Sequence, residues 1–186
     1  VKKHLELLDS VENITTGDRF RTEITRLRSD ELKNITKKSG WTFDWKKEAK
    51  NPEREVFKLT IENNTQIIQG LVSLSVEPDH VAIYQVESAP FNRGNKKVYA
   101  GVPGNLAAFA TKLSYQQGNK GDITLTAKNI TPEDKRTIKA FLHSDNPKTK
   151  PFQPTAATTR ATNVIRPKKK LPAKHPFSEA KLSPER

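Results

Sequence analysis

The sequence predicts an α/β (α+β) domain: a mixed, mostly antiparallel central sheet flanked by helices, followed by a disordered basic C-terminal tail. Residues 55–86 hold three strand-like runs separated by short turn signals, the pattern of a meander. Gly101-Val102-Pro103-Gly104 then opens a run with Leu106, Phe109, Ala110 and Leu113 at helical spacing. From Asp145 onward proline, threonine, alanine and lysine dominate. Such a segment cannot bury enough apolar surface to offset its ordering entropy. At 186 residues the chain has room for one ordinary domain, which places a folded unit at 1–144 and the tail at 145–186.

Charge and composition narrow the classes. The formal net charge is +12, but Asp145 to Arg186 holds 10 Lys/Arg against 3 Asp/Glu, leaving 23 against 18 for the first 144 residues. The folded part is therefore mildly basic, and a nucleic-acid contact would fall to the tail, densest at Arg166 to Lys170. With no cysteine, disulfides, thiolate nucleophiles and cysteine-ligated metals are excluded. The four histidines, His4, His80, His143 and His175, are isolated and show no metal spacing. No apolar run approaches the ~20 residues of a membrane span, and Val1 to Ser10 does not read as a signal peptide. The expectation is a soluble cytoplasmic protein without a membrane partner. The chain has no methionine at all, which points to a natural start upstream.

In chain order, Leu5, Leu7 and Leu8 form a short apolar cluster. Arg19 to Leu27 alternates as a half-buried strand with Phe20, Ile24 and Thr22 inward. Ser29-Asp30-Glu31 reads as a helix start, with Leu32 and Ile35 buried, Lys37 and Lys38 in the last turn, and Gly40 as the stop. Trp41, Phe43 and Trp45 then alternate, stapling the first helix to the sheet or walling an acceptor-substrate pocket; a base-stacking platform is a third reading, though no basic run with interleaved aromatics surrounds it. Glu55 to Ile61 is a strand, Asn63-Asn64 a hairpin turn, and Gln66 to Val76 the partner strand. In that partner, Ser73 and Ser75 predict one wet face. Val81 to Val86 is apolar on both faces except at Gln85, as a central strand would be, and Pro90 ends it. After a polar loop come the glycine turn and helix, stopped by Gly118. A strand through Ile123, Leu125 and Ala127 follows. Thr131-Pro132 then starts a last helix that buries Ile138, Phe141 and Leu142.

This order, from Arg19 to Leu142, resembles the GNAT superfamily of N-acetyltransferases, most sharply between Val81 and Asn129. The family motif R/Q-x-x-G-x-G/A is matched by Val98-Tyr99-Ala100-Gly101-Val102-Pro103, followed by Gly104-Asn105-Leu106. Gly101 agrees; Val98 and Pro103 depart. The resemblance implies acetyl-CoA as cosubstrate, held by backbone N–H groups at a helix N-terminus. Pro103 fits a first turn but has no N–H to give. Lys96 and Lys97 offer compensating charge.

Cofactor contacts are thereby implied for Val86, Lys97, Val98, Gly101, Val102, Gly104, Asn105 and Asn129; for Asn129 a helix-entry cap is an equal reading. The backbone of Val86, Glu87 and Ser88 would pair with the pantetheine arm, and the amides near Glu87 and Ser88 would polarise the thioester carbonyl. Glu87 sits where several family members carry a general base. Its alternative reading is a strand-end carboxylate bonded to loop amides and to Arg93. No tyrosine stands near Lys135 and Arg136 to act as general acid, and no strand pair is legible after the last helix. The acceptor would be a small-molecule or protein amine, with specificity in the loops around Gly40 to Pro52 and beyond the last helix. Three functions compete: an acyl-CoA-dependent N-acyltransferase, a non-catalytic binding module on the same fold, and a nucleic-acid-associated protein using its tail.

Overall fold

The computed structural model describes residues 9–126 and 130–142. The leucine cluster, Ala127, Asn129 and the tail with its boundary at Asp145 lie outside them. In order, the elements are β1 (Ser10–Asn13), β2 (Arg19–Arg26), 3-10 turns at Glu31–Asn34 and Lys37–Ser39, and α1 (Trp45–Ala49). Next come β3 (Glu55–Ile61), β4 (Asn64–Val76), β5 (Val81–Ser88), a 3-10 turn at Pro90–Asn92 and β6 (Tyr99–Ala100). The last three are α2 (Val102–Gln116), β7 (Ile123–Leu125) and α3 (Pro132–Leu142).

The strands form one sheet in the order β6-β1-β2-β3-β4-β5-β7. Every pairing is antiparallel except β5 with β7. The mixed, mostly antiparallel sheet with few helices is thus the observed fold class. Local chemistry explains its turns: Asn63 adopts φ 65° in the β3–β4 hairpin, a conformation asparagine tolerates.

Alternation sorts the core onto two faces. Phe57, Leu59, Val72, Leu74, Val81, Ile83 and Val86 meet Val102, Leu106, Ala110 and Leu113 of α2 and Ile138 of α3. The opposite face buries Ile35, Trp41, Trp45, Val56, Leu71 and Ala89, so the tryptophans staple the 31–49 segment to the sheet. Between these faces β5 carries a β-bulge. Ser73 pairs with Gln85 but Leu74 pairs with Ile83, leaving Tyr84 as the extra residue. A bulge bends its strand and shifts side-chain parity. Here it puts Ile83 and Val86 on the α2 face and leaves Gln85 and Glu87 on the other.

Several expectations are corrected. The helix after Ser29 is two 3-10 turns, because Ile35 leaves helical geometry (φ −100°, ψ 86°) and Thr36 is extended, restarting the chain in a capping box with Ser39. Glu31 serves tertiary partners: it accepts from the Arg28 N–H and pairs with the buried Lys58. Phe20 is exposed, packing edge-to-face on Tyr99. The Ser73 face is covered, since Ser73 is fully buried and donates to Glu48 Oε1 of α1 at 2.5 Å. Strands β1 and β6 and helix α1 were unforeseen: β1 and β6 are too short for periodicity. The Asp44 cap of α1, accepting from Lys47 N–H at 3.0 Å, was readable but masked by the aromatic alternation.

The chain after β5 crosses to the far edge as β6 beside β1, and α2 returns over β4 and β5. Asn92 anchors this excursion, donating to the Gln69 carbonyl and side chain and accepting from the Tyr99 N–H. Gly70 lets α2 come down on the sheet: a Cβ there would lie 2.5 Å from Val102 Cγ1 and 3.2 Å from the Glu87 carbonyl. Gly70→Ala is therefore expected to cost about 1–3 kcal/mol, read as a lower urea midpoint at unchanged m-value.

Candidate functional site

The site is organised on the last residues of β5, whose two faces present different chemistry. On one face the Glu87 carboxylate is fully buried. It accepts from the Thr42 N–H (2.6 Å), the Phe43 N–H (3.2 Å), Trp45 Nε1–H (2.7 Å) and Arg93 (3.1 Å). Burial of a carboxylate is tolerable only with such a donor set. Arg93 also donates to Thr42 Oγ1 at 2.7 Å and to the Gly40 carbonyl. The geometry is that of the strand-end carboxylate bonded to loop amides and to Arg93. A general base must offer a lone pair to the incoming amine, and here both oxygens are engaged and shielded from solvent.

Next to this pin opens a cleft of about 750 Å³, bounded by the 37–54 segment and Gln85. Arg54 lies on one wall, 3.8 Å above the Tyr84 ring and 2.9 Å from Glu48 Oε1. Gln85 is 5% exposed, and its Nε2 has no hydrogen-bond partner.

On the other face, Ser88 is tied to α3. Asp134 accepts from Ser88 Oγ (2.7 Å), the Ser88 N–H (3.2 Å) and Thr131 Oγ1 (2.8 Å), and its own N–H donates to Thr131 Oγ1. Burial pushes the Asp134 carboxyl up from its ordinary value, against the opposing pull of the Ser88 and Thr131 bonds. The importance of Asp134 had no signal in the sequence beyond its place in a helix cap.

The remaining residues named from the sequence divide. Gly101 is the left-handed N-cap of α2 (φ 95°), and a Cβ at Gly104 would meet nothing within 4 Å. The open space is at Gly104, since the Gly101 carbonyl accepts from the Asn105 backbone and side chain. Val102 and Pro103 are buried in it. Asn105 is buried and spent on the fold, donating to the Ser10 and Gly101 carbonyls and accepting from Thr22 Oγ1. Lys97 lies 3.5 Å from Glu133, and Val98 is exposed. Val86 is buried and bridges Ile130. The backbone expected to meet a pantetheine arm is thus engaged at Val86 and Ser88. Regular β5–β7 pairing stops at Ile83 and Leu125, and the Val86–Ile130 bridge comes next.

No protein-family model matches the chain, and no curated protein matches it in sequence. Solved structures are distantly similar. A transcriptional regulator from Bacillus halodurans C-125 aligns at 12% identity and TM-score 0.44, over 73% of this chain and 99% of that one. An aminoglycoside acetyltransferase from an uncultured soil metagenomic sample, solved with trehalose, aligns at 13% identity and TM-score 0.38, over 67% of this chain and 88% of that one.

Two outcomes follow from these carboxylates. Trp45→Phe keeps the ring packing but removes one bond to a buried charge, an expected loss of about 1.5–3 kcal/mol; Glu87→Ala strands Arg93 and the loop amides, an expected loss of about 3–5 kcal/mol. Both are read by chemical denaturation. Asp134 keeps its proton to higher pH in the folded state than in the unfolded chain. Its contribution is complete below the ordinary carboxylate pKa of ~3.9 and is lost as pH rises through the elevated value. Unfolding free energies measured from about pH 4 upward should show that decline in the wild type and not in Asp134→Asn.

Proposed function

We propose that this chain is an acyl-CoA-dependent N-acyltransferase that transfers an acetyl group to an amine by direct attack. The observation that carries the reading is the bulge of β5 at Tyr84, where regular pairing with β7 stops. It lies between the Gln85 cleft on one face and the glycine start of α2, seated on Gly70 of β4 beside the end of β5, on the other. An acceptor in the cleft and a thioester reaching the opposite face would meet at this strand.

In this reading Gly104 leaves room, Gly101 and Gly104 offer N–H groups for the phosphates of the donor, Pro103 supplies none, and Asn105 has no role because its amide is engaged. The amine nitrogen forms a bond to the thioester carbonyl carbon, the carbon–sulfur bond breaks, and the amine proton leaves to solvent. Glu87 acts as a positioning residue that holds the 42–45 wall of the cleft. The Ser88 amide is the donor aimed at the reacting carbonyl, and it serves only when Asp134 releases it. Binding and orientation supply most of the rate.

The engaged oxygens of Glu87 favour a second reading, a non-catalytic binding module on the same scaffold. Calorimetric titration with acetyl-CoA at ~1 mM, a concentration that registers binding at the millimolar end of the affinity scale, tests the proposal together with thiol release in the presence of an amine panel. Heat with thiol release is expected. Heat without thiol release selects the binding module, and no heat overturns both forms of the donor site.

A further inference from the structure

We infer that the Gln85 cleft binds a small amine that carries a carboxylate or phosphate group, the anion being held by Gln85 and the lysines of the rim. That this molecule is the acyl acceptor rests on the acyltransferase reading; that the cleft takes an anion does not.

The first ground is Gln85 itself. A buried amide N–H without a partner is disfavoured in folded proteins, and one that lines a cleft is open to completion by a ligand. Gln85 lines the cleft, is 5% exposed and leaves Nε2 without a partner. The bulge at Tyr84 brings it there, setting Gln85 on the same face as Glu87. An acceptor oxygen from a ligand is the group that satisfies this donor.

The second ground is the charge around the opening. Lys37, Lys47 and Lys50 line the cleft, and no ion pair joins them to a described residue. Each of the two acids there has one oxygen engaged. Asp44 Oδ1 accepts from the Lys47 backbone N–H, and Glu48 Oε1 accepts from Ser73 Oγ and Arg54. Arg54 cancels Glu48, which leaves three lysine charges against Asp44. A concave site with excess positive charge raises the local concentration of anions, and an oxygen-bearing anion answers both the lysines and the Gln85 donor.

The ligand's own amine has a place in the same frame. Asp44 and Glu48 are the acids on the cleft lining, so an ammonium beside the anion meets a carboxylate rather than only lysines.

The test uses the full chain, isotope-labelled, titrated separately with glutamate, phosphoethanolamine and ethanolamine. Resonances are followed at the Gln85 side-chain amide and at the backbone amides of Thr42 and Phe43. Saturable shifts with glutamate or phosphoethanolamine, and none with ethanolamine, are expected; whichever anion binds more tightly identifies the headgroup. Raising salt and the double substitution Lys47→Gln/Lys50→Gln should each weaken binding several-fold. Gln85→Met separates a ligand role from a packing role. It should raise the Tm of the free protein, because the orphan donor is gone, while abolishing the shifts at Thr42 and Phe43.

Absence of shifts with both anions overturns the inference. So does an equal response to ethanolamine, or undiminished binding by Gln85→Met. Acetyl-CoA added to the same samples is read separately at the Gly101 and Gly104 amides, so failure of the donor reading is distinguishable from failure of the anion site.

Discussion

A carboxylate taken wholly out of water must be solvated by the protein, and Glu87 is solvated by two backbone amides, an indole and a guanidinium drawn from elsewhere in the chain. That requirement orders the surrounding structure. The amides belong to the aromatic segment, which is thereby drawn against β5; the indole belongs to Trp45, which seats α1; and Arg93 ties the loop after β5 back to Gly40. The wall of the cleft is consequently a product of one buried charge. Hydrophobic burial of Trp41 and Trp45 supplies the bulk of the attraction, but it is non-directional, and the carboxylate decides how the segment sits.

The bulge at Tyr84 is the second constraint. Without an extra residue, strict alternation along β5 would put Gln85 and Glu87 on the face of Val81 and Ile83, inside the apolar layer under α2. With it, Ile83 and Val86 stay on the core face and Gln85 and Glu87 lie opposite. The bulge also coincides with the end of regular pairing to β7. One local irregularity therefore supplies both the sidedness of the site and the interruption of the sheet.

Three buried polar groups near the end of β5 stand in different states of satisfaction. Glu87 has donors including a cation. Asp134 is held by hydroxyl and amide donors, which compensate its burial incompletely and leave its carboxyl raised from the ordinary value. Gln85 has no partner at its buried nitrogen. Structural polar groups are usually completed by their own fold, whereas a group poised for a ligand is not. This gradation separates the pin, the latch to α3 and the cleft floor.

The sequence by itself determined β2, β3, β4, β5 and β7 and the stops between them, because periodicity, glycine, asparagine and proline act within a few residues of where they stand. It marked Gly101 and Gly104 as the start of α2 and offered Glu87 either as base or as strand-end anchor. Only the tertiary structure decided that Glu87's oxygens are filled, that Asn105 is spent on β1 and β2, and that Asp134 holds Ser88. Those partners come from distant parts of the chain, and no local pattern reports them. The same holds for the covered face of Ser73, which alternation could describe only as polar. Whether a polar stripe meets water or another helix depends on what folds over it, and that is settled by packing.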